Sequence, residues 1–102
     1  MDEIKIHWSL SALKQRNSIF SYWNNRNKSN LYSIKINKQI QQRLEVVKRN
    51  PSEGKRVGFG DVRFSVLGKF SIYYVFRNGV VNVVSFWDNR QDPVKLLETL
   101  TE

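Results

Sequence analysis

Apolar and polar residues alternate over positions 3–8, with Ile4, Ile6 and Trp8 on one side and Glu3, Lys5 and His7 on the other. A period of two predicts a short strand with one face buried. Ser9 follows where a helix N-cap belongs, since its hydroxyl can accept from the free amides of a first turn. Leu13, Phe20 and Trp23 share one helical face, which predicts a first helix over 9–25. The polar stretch Asn24-Asn25-Arg26-Asn27-Lys28-Ser29-Asn30 predicts a turn closing a helical hairpin. Ile36, Ile40, Leu44 and Val47 then recur at helical spacing, the stripe of a second amphipathic helix. That helix should end near Asn50, because Pro51 disfavours the α conformation in the residue before it.

From Val62 the period changes to two. Val62, Phe64 and Val66 alternate with Arg63, Ser65 and Leu67, and a tight turn at Gly68-Lys69 leads into a strand from Phe70 to Phe76. Asn78-Gly79 suits a two-residue type I′ hairpin, since both residues tolerate positive φ. That turn predicts Phe76 opposite Val81, Tyr74 opposite Val83 and Tyr73 opposite Val84, with Val80 to Trp87 as the last strand. Pro93 can open a terminal helix capped by Asp92, with Val94, Leu96, Leu97 and Leu100 on its apolar side. The expected architecture is α+β, in the order β-α-α-β-β-β-α. It is an antiparallel sheet with the helical hairpin packed on one face, a single domain over residues 1–102.

The last hairpin carries apolar residues on both sides. One face is expected to hold Phe70, Ile72, Tyr74, Phe76, Val81, Val83 and Trp87, and the other Tyr73, Val75, Val80, Val84 and Phe86. A helical hairpin covers one face, and a sheet apolar on both needs a second cover. Residues 93–102 or a partner chain are the two candidates.

Charge adds a second constraint. The 102 residues carry 17 Lys and Arg against 9 Asp and Glu, and the excess lies almost wholly in the first half. A field concentrated there favours polyanions, nucleic acid or an acidic protein, unless it serves only as a solubilising helix surface. The chain has no cysteine, so disulfides and thiolate metal sites are excluded. No apolar run approaches the roughly 20 residues of a membrane span. The start at Met1-Asp2-Glu3 lacks the pattern of a signal peptide, so the expected location is the cytoplasm.

Candidate chemistry is sparse. His7 is the single histidine and is expected on the outer side of its strand. Gly58-Phe59-Gly60 lacks the context of a phosphate loop. Asp61, Asp88 and Asp92 could hold a divalent metal, but ion pairing with Arg90 explains them more economically, and no metal or cofactor is expected. What remains is a basic and aromatic group on and around the sheet: Lys55, Arg56, Arg63, Lys69, Tyr73, Tyr74, Arg77 and Arg90. Such side chains hold phosphates and stack on bases. Arg and Lys also stabilise a dianionic transition state, and Tyr can move protons.

Read together, these pieces resemble the RelE/ParE toxin superfamily over about residues 4–97. The resemblance rests on the strand ending in Trp8, Ser11-Ala12-Leu13, and Ile19, Tyr22, Asn30 and Tyr32 in the hairpin. It continues with Asn50-Pro51-Ser52-Glu53-Gly54, Arg63, Ile72-Tyr73-Tyr74, and Phe86-Trp87-Asp88-Asn89-Arg90-Gln91-Asp92-Pro93. It implies the toxin of a type II toxin–antitoxin module, neutralised by a cognate antitoxin that covers apolar surface. RelE-like toxins cleave ribosome-bound mRNA without a metal, whereas ParE-like toxins poison DNA gyrase. By resemblance Arg63 and Arg90 match basic positions at the scissile phosphate of the nucleases, with Tyr73 and Tyr74 as further catalytic candidates if the chain is an endoribonuclease. Lys55, Arg56, Lys69 and Arg77 would then hold nucleic acid. Against this, Ser71 replaces a further basic residue on the third strand, and nothing beyond Arg90 matches the Tyr or His that nucleases often carry. The regular helical hairpin is more ParE-like, and these departures tilt the reading toward a non-nuclease toxin. A non-catalytic basic nucleic-acid-binding module and an inactive toxin-fold remnant are the alternatives.

Overall fold

The computed structural model describes residues 3–58 and 60–100. In chain order its elements are strand β1 (Lys5–Trp8), helices α1 (Leu10–Asn27) and α2 (Leu31–Arg49), strands β2 (Lys55–Arg56), β3 (Arg63–Leu67), β4 (Phe70–Arg77) and β5 (Val80–Asp88), and helix α3 (Pro93–Leu100). The expected succession is present, and the two-residue β2 adds a strand that no local pattern announces. The strands form one sheet in the order β1-β5-β4-β3-β2. It is mixed: β1 runs parallel to β5, while the other neighbouring pairs are antiparallel. No short turn joins β1 to β5, so nothing in the connection forces them antiparallel.

Local chemistry explains the helical hairpin. Ser9 has extended backbone angles, and its Oγ accepts from the Ala12 amide at 3.0 Å, as an N-cap should. Lys28 ends α1 in the left-handed region, with its amide on the Asn24 carbonyl. Ser33 Oγ, buried at the start of α2, lies 3.1 Å from the Phe20 carbonyl oxygen and 2.6 Å from Asn24 Oδ1, which ties the two helices together. The expected stripe of α2 is buried: Ile36, Ile40, Leu44 and Val47 meet Leu67, Phe70, Ile72, Tyr74, Val81, Val83 and Phe86 of the sheet. Each large aliphatic residue sequestered this fully contributes about 1.5–3 kcal/mol.

The turn behaves as read. Asn78 and Gly79 have φ of 52° and 76°, and Phe76 faces Val81 and Tyr74 faces Val83. Beyond that point the expected register fails. A β-bulge lies between Tyr73 and Tyr74, so Tyr73 faces Ser85 rather than Val84. One extra residue on β5 exchanges the faces of everything after it. Phe86 therefore joins the core opposite Ile72, and Trp87 stands opposite Ser71, the reverse of the expected placement.

Away from the helical hairpin the sheet is partly covered. Helix α3 packs on β5, and Ser71, Tyr73 and Trp87 are nearly buried, yet Val66 is 50% exposed. The α3 cap is as expected, with the Val94 amide on Asp92 Oδ1 at 2.9 Å. Of its apolar side, Leu96 and Leu100 are half-buried, whereas Val94 and Leu97 are exposed. Phe59 of the Gly-Phe-Gly loop, and residues 101–102 of the expected terminal helix, lie outside the described residues. Among the described residues no helix is long and apolar enough to cross a membrane.

Candidate functional site

The candidate side chains separate into groups along the sheet. At the β2 side, Arg63 begins β3 directly opposite Tyr74 of β4. Both turn toward the segment that follows α2. Arg63 Nη1 donates to the Gly54 carbonyl at 2.8 Å, and Tyr74 Oη donates to the Pro51 carbonyl at 2.9 Å. Gly54 sits so close to the phenol that an added Cβ would overlap Tyr74 Oη. Tyr74 is almost completely buried, and that burial raises the phenol above its ordinary pKa. Tyr73 lies on the other face, its ring stacked on Phe64 with centroids 5.6 Å apart, and burial raises its phenol as well.

Arg90 belongs to the opposite end. Its amide and Nε donate to Asp88 Oδ1 at 2.9 and 3.0 Å, and its Nη2 donates to Asp88 Oδ2 at 2.7 Å. The guanidinium bonding holds the Asp88 carboxyl below the usual carboxylate range, against the opposing effect of burial. The guanidinium also lies over the Trp23 ring, 5.7 Å from its centroid, and Trp23 contacts Tyr22 and Tyr32 edge-on. Asp88 faces Phe70, and Tyr74 is four positions further along β4, roughly 13 Å of strand at 3.3–3.4 Å per residue. The structure thus brings Arg63 and Tyr74 together but keeps Arg90 and Tyr73 away from them.

Between α1 and the end of β5 lies a cleft of about 400 Å³, walled by Ile19, Tyr22, Trp23, Phe86 and Trp87, with Lys14, Gln15, Ser18, Asp88 and Gln91 as its polar lining. Gln15 was not a candidate in the sequence. Its Oε1 accepts from Ser85 Oγ and from the Phe86 amide, both at 2.9 Å, which pins α1 to the bulged stretch of β5. A glutamine on a helix gives no local sign of such a partner.

The remaining basic candidates are also divided. Lys69 is exposed at the β3–β4 turn, near enough to Asp88 to help lower its pKa. Lys55, Arg56 and Arg77 lie at the other end of the sheet, where Asp61 accepts from Arg77 Nη2 at 2.9 Å and pairs with Arg56 at 3.6 Å. The Arg77 guanidinium, through this hydrogen bond and its charge, holds the Asp61 carboxyl below the usual carboxylate range. The three aspartates considered for a metal are therefore apart. Asp61 and Asp88 are ion-paired and Asp92 caps α3, and among the described residues no cluster of three or more His, Cys, Asp or Glu could hold a metal ion.

Comparison with known proteins agrees with this architecture. A structure of the chromosomal ParDE toxin–antitoxin system from P. aeruginosa contains a chain that superposes with a TM-score of 0.69, at 14% identity, over 82% of this chain and 94% of that one. At that identity the likeness concerns the fold. No curated protein matches the sequence. The family model for the ParE toxin of the type II toxin–antitoxin system parDE matches residues 6–93, nearly the whole length from β1 to the start of α3. The chain belongs to the ParE toxin family, within the RelE/ParE superfamily that its sequence resembles.

Proposed function

We propose that this chain is a growth-arresting toxin that acts on DNA gyrase rather than by cutting mRNA, and that a cognate antitoxin neutralises it. The observation that carries this reading is the state of the residues a nuclease would need. Tyr74 gives its hydroxyl to the Pro51 carbonyl, Arg63 gives one Nη to the Gly54 carbonyl, and Arg90 is closed on Asp88 by a bidentate pair. Cleavage of a phosphodiester needs cations free to meet developing negative charge and a group with a pKa matched to proton transfer. Buried phenols with raised pKa values serve that purpose poorly. Ser71, in place of a basic side chain on β4, donates to Asn89 Oδ1 at 2.8 Å and adds no cation. The ParE family match supports the same direction.

Expression without an antitoxin should stop growth, with DNA-damage signalling and intact mRNA. Primer extension on translated messages is the deciding measurement: cleavage inside ribosome-bound codons would overturn the gyrase reading. On this reading Arg63→Ala weakens the toxin only as far as it destabilises the fold.

A further inference from the structure

Arg56 and Arg63 stand directly opposite each other in the β2–β3 pair. Like charges at directly opposite positions work against a sheet, and here they are offset by the Gly60 carbonyl and Asp61 at Arg56 and by the Gly54 carbonyl at Arg63. Arg77 ends β4, the next strand, so three neighbouring strands each place a guanidinium at the same end of the sheet. Arg77 stands three positions beyond Tyr74, the partner of Arg63, and alternation places it on the other face of β4, so Arg56 and Arg77 approach Asp61 from two sides. Lys55 adds a further positive charge, and after Asp61 and Glu53 are set against the four cations two positive charges remain in surplus. Asp61 bridges Arg56 and Arg77, and all three side chains are more than half exposed, at 59%, 58% and 66% for Arg56, Asp61 and Arg77. Ion pairs this open to water are weak and exchangeable, because solvent and salt screen them and both side chains must give up freedom. Beside them Ser52, Arg56, Asp61, Arg63 and Phe76 line a depression of about 280 Å³, open and mainly polar.

We propose that this end of the sheet binds the phosphates of a nucleic-acid backbone, with Asp61 as a resident counter-ion that an arriving phosphate displaces. Guanidinium forks match phosphate oxygens as well as they match a carboxylate, so a phosphate can take the place Asp61 holds. A surplus of cations on both sides of one carboxylate suits a polymer with charge repeated along its length better than it suits one acidic side chain. Lys69, at the far end of β4, lies outside this site. The site does not depend on which target the toxin has, and its test contains neither gyrase nor ribosome.

The test is a fluorescence-anisotropy titration of a labelled DNA duplex of about 20 base pairs with the whole chain, between roughly 50 and 200 mM salt. Asp61→Asn should bind about threefold or more tighter at the lower salt, since it removes the competing charge and keeps the side chain's size. Arg56→Ala with Arg77→Ala should bind at least about tenfold more weakly, and the slope of log K against log salt should fall by about 2, one for each lost contact. Circular dichroism of each variant separates loss of the fold from loss of the site, and Glu98→Gln, with the same change of net charge at a distance from the site, should give less gain than Asp61→Asn. An unchanged slope in the double variant, or no gain for Asp61→Asn, would overturn the proposal. So would polyglutamate binding more tightly than the duplex through the same two arginines, which would assign the site to an acidic protein.

Discussion

On the turn side of the bulge, β4 and β5 meet through side-chain volume: Tyr74 faces Val83, Phe76 faces Val81, and Asn78-Gly79 fixes the register. On the other side, Phe70, Ile72 and Phe86 also enter the core, but Ser71, Ser85 and Asp88 are buried among them. Each of these polar residues is answered from outside the ladder, by Asn89, Gln15 and Arg90 respectively. The first half is specified by shape and a local turn, and tolerates small changes of volume. The second depends on named partners, because a buried polar group is costly only when its partner is missing. The same half carries the contact that fixes α1 and one wall of the cleft beside it.

This contrast can be broken most severely by Phe86→Ala, on the far side of the bulge. It removes the ring that stands opposite Ile72 and stacks on Phe70. Truncating a large core aromatic costs about 3–5 kcal/mol. Against a total stability of roughly 5–15 kcal/mol, the expected result is a thermal transition by circular dichroism lowered by more than about 10 °C or lost altogether. An unchanged transition would show that Phe86 does not anchor this half of the sheet.

A smaller change sharpens the comparison. Gln15→Met keeps the volume and removes the acceptor, leaving Ser85 Oγ and the Phe86 amide without it, at a cost of about 1–3 kcal/mol. Hydrogen exchange should quicken for the amides of residues 85–88 while those of Val81 and Val83 keep their protection. Equal quickening on both sides of the bulge would erase the distinction.

The least effect is expected from Asp88→Asn, a loss of about 4 °C in Tm at pH 7. Its value lies in the sign of its pH dependence. The folded Asp88 carboxyl titrates below its unfolded value of about 3.9, so its contribution is complete above that value and is lost as pH falls through the folded pKa. The gap between the parent and Asp88→Asn should therefore close as the solution is acidified below about pH 4. A gap that stayed constant would mean that the carboxylate's charge does not stabilise the fold.

Most elements were legible because they rest on local rules: the cap at Ser9, the α2 stripe ending before Pro51, the turn at Asn78-Gly79 and the cap at Asp92. The misses share one cause. Residues 83–86, Val-Val-Ser-Phe, contain no glycine or proline to mark an insertion, and the bulge exists because of what Phe86 and Gln15 gain across the core. Two residues of β2 carry no period and are defined by their partners on β3. The parallel direction of β1 is likewise a property of the assembled sheet. Among the site candidates, composition found the arginines but not their company. Asp88 with Arg90 follows from adjacency, whereas Asp61 between Arg56 and Arg77, and Arg63 on Gly54, needed the strands to be side by side.

The parallel pairing of β1 with β5 also sets an order of events while the chain is being made. Lys5 must wait for Val80, and the Ser9 amide for the Val83 carbonyl, before the edge of the sheet has a partner. At about 5–20 residues per second, the intervening stretch takes roughly 4–15 s to emerge. Throughout that interval the helical hairpin has its apolar stripe but no finished sheet to receive it, so the nascent domain cannot close its sheet until β5 has been translated.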